Sequence, residues 1–266
     1  MSNMTGLPYR QESYFELQMT SRRKLDYRIL VAAPMDEPPP NGYAVIYALD
    51  GDALFQTLAE AVKLQTRKPK GFDPIVVIGI GYPSREPFDM DRRCRDFTMP
   101  VNEASLPSRS IGKPWPTSGH ADDFLDFIEQ ELKPAIAKEW PINAGKQAIV
   151  GHSLGGLFTL HALFARPHLF THYVAGSPSV WWGENEILKE LDMFKETWKG
   201  EYPLNLLLTI GAEELPDMLD GAEQVFERMK GLAASDIHTN YVKFAEEEHV
   251  SVLPAMLSRL PRFLNS

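Results

Sequence analysis

The chain has 266 residues, 44% of them hydrophobic and 24% charged, which suits one large α/β domain with a core that needs no covalent staples. Net charge is −9 and no basic tract reaches five residues, which argues against a nucleic acid or an anionic membrane as partner. Cys94 is the one cysteine, residues 1–11 contain no apolar leader and nowhere do 18 apolar residues run together, so a cytoplasmic protein without disulfides or membrane spans is expected.

Residues 13–19 alternate Tyr14, Glu16 and Gln18 with Phe15, Leu17 and Met19, a period of two, and residues 25–33 repeat that character. With the polar turn 20–24 between them they predict an antiparallel hairpin. A proline-rich loop, 35–42, leads to the continuous apolar run 43–49, the pattern of a strand covered on both faces. Asp50-Gly51-Asp52 ends it, 53–67 reads as a helix, and 74–81 is a second buried strand. Residues 83–119 show no sustained period and are dense in arginine and aromatic side chains, as a functional loop insertion would be. Helical spacing returns over 120–138 (Phe124, Phe127, Ile128, Leu132, Ile136), with Pro134 expected to kink or end the helix. Strands at 147–150, 172–175, 204–210 and 239–244 then alternate with helices at 154–165, 184–198, 217–232 and 250–264. The expectation is a single α/β domain over 1–266, with a mainly parallel eight-stranded sheet and helices on both faces.

Between the fifth strand and its helix stands Gly151-His152-Ser153-Leu154-Gly155, the G-x-S-x-G nucleophile elbow of the α/β-hydrolase fold. The turn exposes the serine oxygen above the sheet edge, and the following helix aims its free N–H groups at the reacting centre. Side chains at Gly151 and Gly155 are expected to collide with the neighbouring strand and helix. The bland alternative is a glycine-rich turn with an incidental serine. A serine needs a base to take its proton. Of the seven histidines, His152 lies within the elbow, His120, His161, His168 and His172 come too early, and His238 enters the last strand at the far edge. His249, in the loop after the last strand, is the base. The acid should follow the seventh strand, where Glu213, Glu214 and Asp217 are candidates; Glu214 is favoured and Asp217 reads as a helix cap. The oxyanion hole would use the N–H of Leu154 and that of Asp52 or Gly51.

Within the 83–119 loop, Arg85, Arg92, Arg93 and Arg95 precede Phe97, and Trp115 follows. Guanidinium forks and aromatic faces suit a planar anionic ligand such as a catecholate. The competing reading is a solvated loop, because Glu86, Asp89, Asp91, Asp96 and Glu103 nearly cancel the arginines. Trp181 and Trp182 either wall a pocket or pack beneath the 184–198 helix. Cys94, between arginines, reads as incidental. The histidines are scattered and no Cys pair exists, so neither a metal site nor a cofactor is expected.

These residues resemble the esterase D branch of the α/β-hydrolases, and within it the trilactone siderophore esterases that open enterobactin and bacillibactin. The resemblance rests on Tyr27-Arg28-Ile29, Leu49-Asp50-Gly51, Gly79-Ile80-Gly81-Tyr82-Pro83, Arg95-Asp96-Phe97-Thr98, residues 121–128, the elbow, Ser177-Pro178-Ser179-Val180-Trp181-Trp182 and Glu248-His249. Met99 stands between Thr98 and Pro100, where the family pattern runs Thr-Pro directly. It implies a serine carboxylesterase for the lactone bonds of a tris-catecholate siderophore, apo or ferric, with any iron arriving on this small-molecule substrate. Some relatives rely on a serine–histidine pair with a weak or missing acid. The alternatives are an esterase for an acetyl, feruloyl or formyl-thiol ester, or a non-catalytic binding protein on the same fold.

Overall fold

The hairpin, the two central apolar runs and the later strands join in one eight-stranded sheet, ordered β1-β2-β4-β3-β5-β6-β7-β8. The structure, a computed structural model, describes residues 13–109, 112–232 and 236–265. Residues 1–11, read above for a leader, lie outside these, as do 110 and 111 of the arginine-rich loop. β1 (Tyr14–Thr20) and β2 (Asp26–Ala32) form the antiparallel hairpin, and β2 runs antiparallel to β4 (Ile75–Gly81). β3 (Tyr43–Ala48), β5 (Ile142–His152), β6 (His172–Gly176), β7 (Leu204–Gly211) and β8 (Ile237–Phe244) join β4 in parallel.

Alternation along the central strands explains why they read as unbroken apolar runs. Val45 and Tyr47 enter one core layer with Ile149 and Tyr173, whereas Ala44, Ile46 and Ala48 enter the other with Val150 and Val174. The second layer is closed by α1 (Gly51–Gln65) and by two short helices, Val252–Leu257 and Leu260–Phe263. The single helix expected over 250–264 is therefore two. Pro261 brings no N–H to the helix, and the chain turns just before it.

Three further differences have physical causes. The fifth strand starts at Ile142 rather than 147, because Ile142 pairs with Tyr43 ahead of a register shift and the polar residues that follow it carry no apolar period. The 83–119 segment contains a helix, α2 (Met90–Phe97), capped by Asp89, whose side chain accepts the Arg92 N–H at 3.0 Å. Its buried side carries Arg93, Cys94, Asp96 and Phe97, so ion pairs stand where an apolar stripe would have shown the period. Finally, Pro134 neither ends nor breaks its helix. α3 (Ala121–Phe127) passes through a π-helical turn, Ile128–Leu132, into α4 (Lys133–Glu139). The wider turn suits a proline that lacks an N–H and crowds the carbonyl four residues back.

α5 (Leu154–Ala165) crosses the first core layer, flanked by α6 (Glu186–Thr197), with α7 (Pro216–Lys230) beyond. His161 on α5 ties the helices together, with Nδ1 2.8 Å from Glu190 on α6 and Nε2 3.5 Å from Asp122 on α3. Burial alone would push this imidazole down, but the two carboxylates outweigh it and raise its pKa to about 9. A histidine raised in the folded state stabilises fully below its unfolded value, and that contribution is lost as pH climbs through the folded one. From pH 6.5 to above 9 the protein should lose about 3 kcal/mol relative to His161→Gln, measured by urea unfolding of both proteins. Parallel losses in the two proteins would contradict this. Among the described residues, no helix is long and apolar enough to cross a membrane.

Candidate active site

Every parallel strand from β3 to β8 delivers a loop to the carboxyl edge of the sheet, and the site is assembled from those loops. Ser153, directly after β5, has φ 60 and ψ −117, a backbone state that persists only where the surroundings enforce it. Its N–H donates to the Gly176 carbonyl at 2.9 Å and its carbonyl accepts from Leu157 and Ser179. A Cβ at Gly151 would overlap the Gly155 carbonyl, so glycine is needed there. Gly155 differs from expectation: its nearest neighbour to a built Cβ is 3.4 Å away. The tight position is Gly156, where a Cβ would lie 2.5 Å from the Gly176 carbonyl. The Ser153 hydroxyl rests 3.3 Å from that of Ser179.

His249 lies in the loop after β8, its ring centroid 4.5 Å from that of His152. Burial, with His249 and Arg93 nearby, lowers His152 to about 3, so it stays neutral beside the second imidazole. Nδ1 of His249 is 2.7 Å from Glu214 Oε2. The other Glu214 oxygen accepts from the Ser177 hydroxyl and from the Gly211 N–H at 3.1 Å. Burial would raise this carboxyl, but the bonds from His249, Ser177 and Gly211 outweigh it and hold it below the ordinary value. Two backbone bonds fasten the loops that meet here, Ala212 N–H to Phe244 O at 2.8 Å and Glu213 N–H to Glu247 O at 3.0 Å. Of the three candidate acids, Glu214 is buried against His249, whereas Glu213 and Asp217 are exposed.

Leu154 opens α5 and Asp52 lies in the first turn of α1, so the N–H groups of both lack acceptors within their helices. The Asp52 carboxylate is turned to Arg28, 2.8 Å away, which neutralises it next to these donors.

The arginines of α2, expected as ligand contacts, are each engaged by groups of the protein itself. Arg93 is buried, with Nε 2.9 Å from Asp50 Oδ1 and Nη2 3.2 Å from the His152 carbonyl. The Arg92 guanidinium lies over the rings of Tyr27 and Tyr82, at 4.7 and 4.5 Å, and pairs with Asp96 at 3.3 Å. Arg95 holds the other Asp96 oxygen at 2.8 Å. Asp96 is fully buried, so it draws both arginines inward, and the solvated-loop alternative does not describe them either. Burial raises the Cys94 thiol to about 11, which makes it unreactive at neutral pH.

The tryptophans separate. Trp182 is fully buried and its indole N–H donates to the Met99 carbonyl at 3.3 Å, so it belongs to the core rather than to a pocket wall. Trp181 and Trp115 are partly buried, with centroids 5.9 Å apart, and Trp181 follows Ser179 by two residues. Arg109 lies 5.3 Å above the Trp115 ring. Arg109 stands in the same loop as Trp115, and its Nη1 also donates to the Pro114 carbonyl at 3.0 Å; an isolated arginine in an aperiodic stretch gives no sequence signal of that placement. The hydroxyls of Ser177 and Ser179 also face this site, from the Ser177-Pro178-Ser179 segment, and no spacing in the sequence marks them for it. An apolar hollow of about 380 Å³, lined in part by Ala32, Val62 and Ile75, opens at the opposite edge of the sheet. Among the described residues, no group of three or more His, Cys, Asp or Glu is arranged to hold a metal ion.

Sheet order and elbow together define an α/β-hydrolase. The chain belongs to the esterase family, whose model, described as "Putative esterase", matches residues 20–214. It is 43% identical to the ferri-bacillibactin esterase BesA of Bacillus subtilis over 93% of this chain and 88% of that protein. It is 32% identical to the siderophore triacetylfusarinine C esterase of Aspergillus fumigatus over 95% and 92% of the two chains. The crystal structure of the BES protein from Bacillus cereus superposes with a TM-score of 0.92 at 35% identity, covering 98% and 99%. The protein is accordingly a serine hydrolase acting on carboxylic esters.

Proposed function

We propose that this esterase hydrolyses the lactone bonds of a tris-catecholate siderophore, with or without its iron, through an acyl-enzyme on Ser153. The observation that carries the catalytic part is the 2.7 Å bond between His249 and buried Glu214, at the sheet edge that also presents the elbow. The hydroxyl of Ser153 leaves Ser179, gives its proton to His249 Nε2 and attacks the ester carbonyl. Glu214 keeps the other imidazole nitrogen protonated and supports the imidazolium that forms. The Leu154 and Asp52 amides receive the oxyanion, the C–O bond of the lactone breaks as His249 protonates the departing serine oxygen, and water repeats the sequence on the acyl-enzyme. The relative named for ferri-bacillibactin supports the substrate class, and the one named for triacetylfusarinine C supports siderophore ester hydrolysis more broadly. The single cysteine, a buried thiol, is in keeping with a cytoplasmic setting.

Trp115, Trp181 and Arg109 are the substrate contacts this reading favours, since Arg92, Arg93 and Arg95 are already engaged by groups of the protein itself. Two aromatic faces suit catechol rings, and a guanidinium suits their anionic oxygens. A charge-assisted hydrogen bond is worth ~1.5–3 kcal/mol, so Arg109→Ala should lower kcat/KM for the siderophore about tenfold to a hundredfold. Turnover of a small neutral aryl ester, which does not reach Arg109, should change less than about twofold. Equal losses on both substrates would remove Arg109 from the binding site.

A further inference from the structure

The two oxyanion donors come from helices that are not consecutive in the chain, and something must fix their separation. The ladder between β3 and β5 ends with the Leu49 N–H donating to the Val150 carbonyl at 2.9 Å. Beyond it the chains diverge, one through Asp50 into α1, the other through His152 and Ser153 into α5. Asp50 has φ 49 and ψ 53, a left-handed state for a residue with a side chain. Its carbonyl accepts from Ala53 and Leu54, so its conformation sets where the first N–H groups of α1 point.

Arg93, on α2, bridges the gap. One guanidinium takes the Asp50 carboxylate through Nε and the His152 carbonyl, one residue before the nucleophile, through Nη2. The group is buried, with the Phe88 and Phe97 rings 5.1 and 5.9 Å from Cζ. The free Asp50 oxygen lies 3.4 Å from where a Gly155 Cβ would be, against the first turn of α5.

We propose that Arg93 is the positioning residue of the oxyanion hole: it clamps the β3–α1 turn to the elbow and so sets the spacing of the Asp52 and Leu154 N–H donors. The proposal rests on the serine-esterase mechanism above. It explains a buried arginine that makes no contact with the nucleophile. It also accounts for the residue type, since a planar fork reaches two acceptors in fixed directions and a lysine ammonium does not. Removing an oxyanion donor outright costs about 10²–10³ in kcat, so releasing one from its place should cost somewhat less.

The test compares Arg93→Ala, Arg93→Lys, Asp50→Ala and Asp50→Asn on an activated aryl ester. Arg93→Ala, Arg93→Lys and Asp50→Ala should each lower kcat by about 30- to 100-fold with KM within about twofold. Asp50→Asn keeps an acceptor for Nε and should recover most of the Asp50→Ala loss. Millimolar guanidinium should restore part of the Arg93→Ala turnover, whereas ethylammonium should not. Inhibition by a trifluoromethyl ketone, whose adduct places an oxyanion in the hole, should weaken in step with kcat. Should Arg93→Ala not fold, Arg93→Lys carries the same comparison. Unchanged kcat and ketone inhibition would overturn the clamp, as would a loss confined to KM. The underlying mechanism is checked separately by labelling wild type with a fluorophosphonate. Failure to label Ser153 would overturn both, whereas labelled wild type with unaffected Arg93 variants overturns the clamp alone.

Discussion

Ser153→Ala and His249→Ala are each expected to lower kcat on an activated aryl ester by at least ~10³, while leaving residual catalysis from binding and the oxyanion donors. The expectation follows from the elbow. Its backbone is held in an unfavourable conformation by bonds to Gly176, Leu157 and Ser179, so the hydroxyl is placed whether or not substrate is present. Alanine should keep that backbone, because the strain lies in φ and ψ and alanine meets it as serine does. Thermal unfolding should therefore stay near wild type while turnover collapses. Removing both groups together should cost little more than removing either, since they act as one unit. A Ser153→Ala protein with near wild-type turnover would end the acyl-enzyme account.

Glu214→Gln should slow turnover by roughly 10²–10⁴, the range expected when an amide replaces the carboxylate that fixes an imidazole tautomer. The side chain is buried and fastened at both oxygens, so glutamine fits the space but brings an N–H toward donors on one side, either His249 or Ser177 and the Gly211 N–H. Glu213→Gln and Asp217→Asn, both at exposed carboxylates, should change kcat by less than about twofold. Steady-state kinetics on the three variants distinguishes a triad from a serine–histidine pair. Near-neutral behaviour of all three would mean that Glu214 serves only to hold the β7 and β8 loops together.

The contrast between these residues and the arginines of α2 shows what a sequence can carry. The order of strands fixes which loops reach the carboxyl edge, and a parallel sheet allows few alternatives. Ser153, Glu214 and His249 could therefore be brought to one edge from chain order and element boundaries alone. The arginines could not be placed so, because their partners are set by packing. Asp96 lies within the same charged stretch and reads in sequence as a solvated counter-charge, yet it is buried and holds both Arg92 and Arg95. Arg93 finds its partners some 43 and 59 positions away, at Asp50 and His152. Trp182 went the same way: an aromatic pair beside a catalytic loop gives no sign of which ring turns inward. The helix over Met90–Phe97 was hidden for a related reason, because its buried face is built from ion pairs as much as from apolar groups.

The central claim, ester hydrolysis of a tris-catecholate trilactone through Ser153, is tested most directly by mass spectrometry of products formed in ¹⁸O-water. Wild type should convert the apo or the ferric trilactone to linear products carrying one ¹⁸O in the carboxylate released at each cleaved ester, and Ser153→Ala should leave the ring intact. An unopened trilactone after incubation with wild type that still turns over an aryl ester would contradict the substrate assignment, and ring opening by Ser153→Ala would contradict the mechanism.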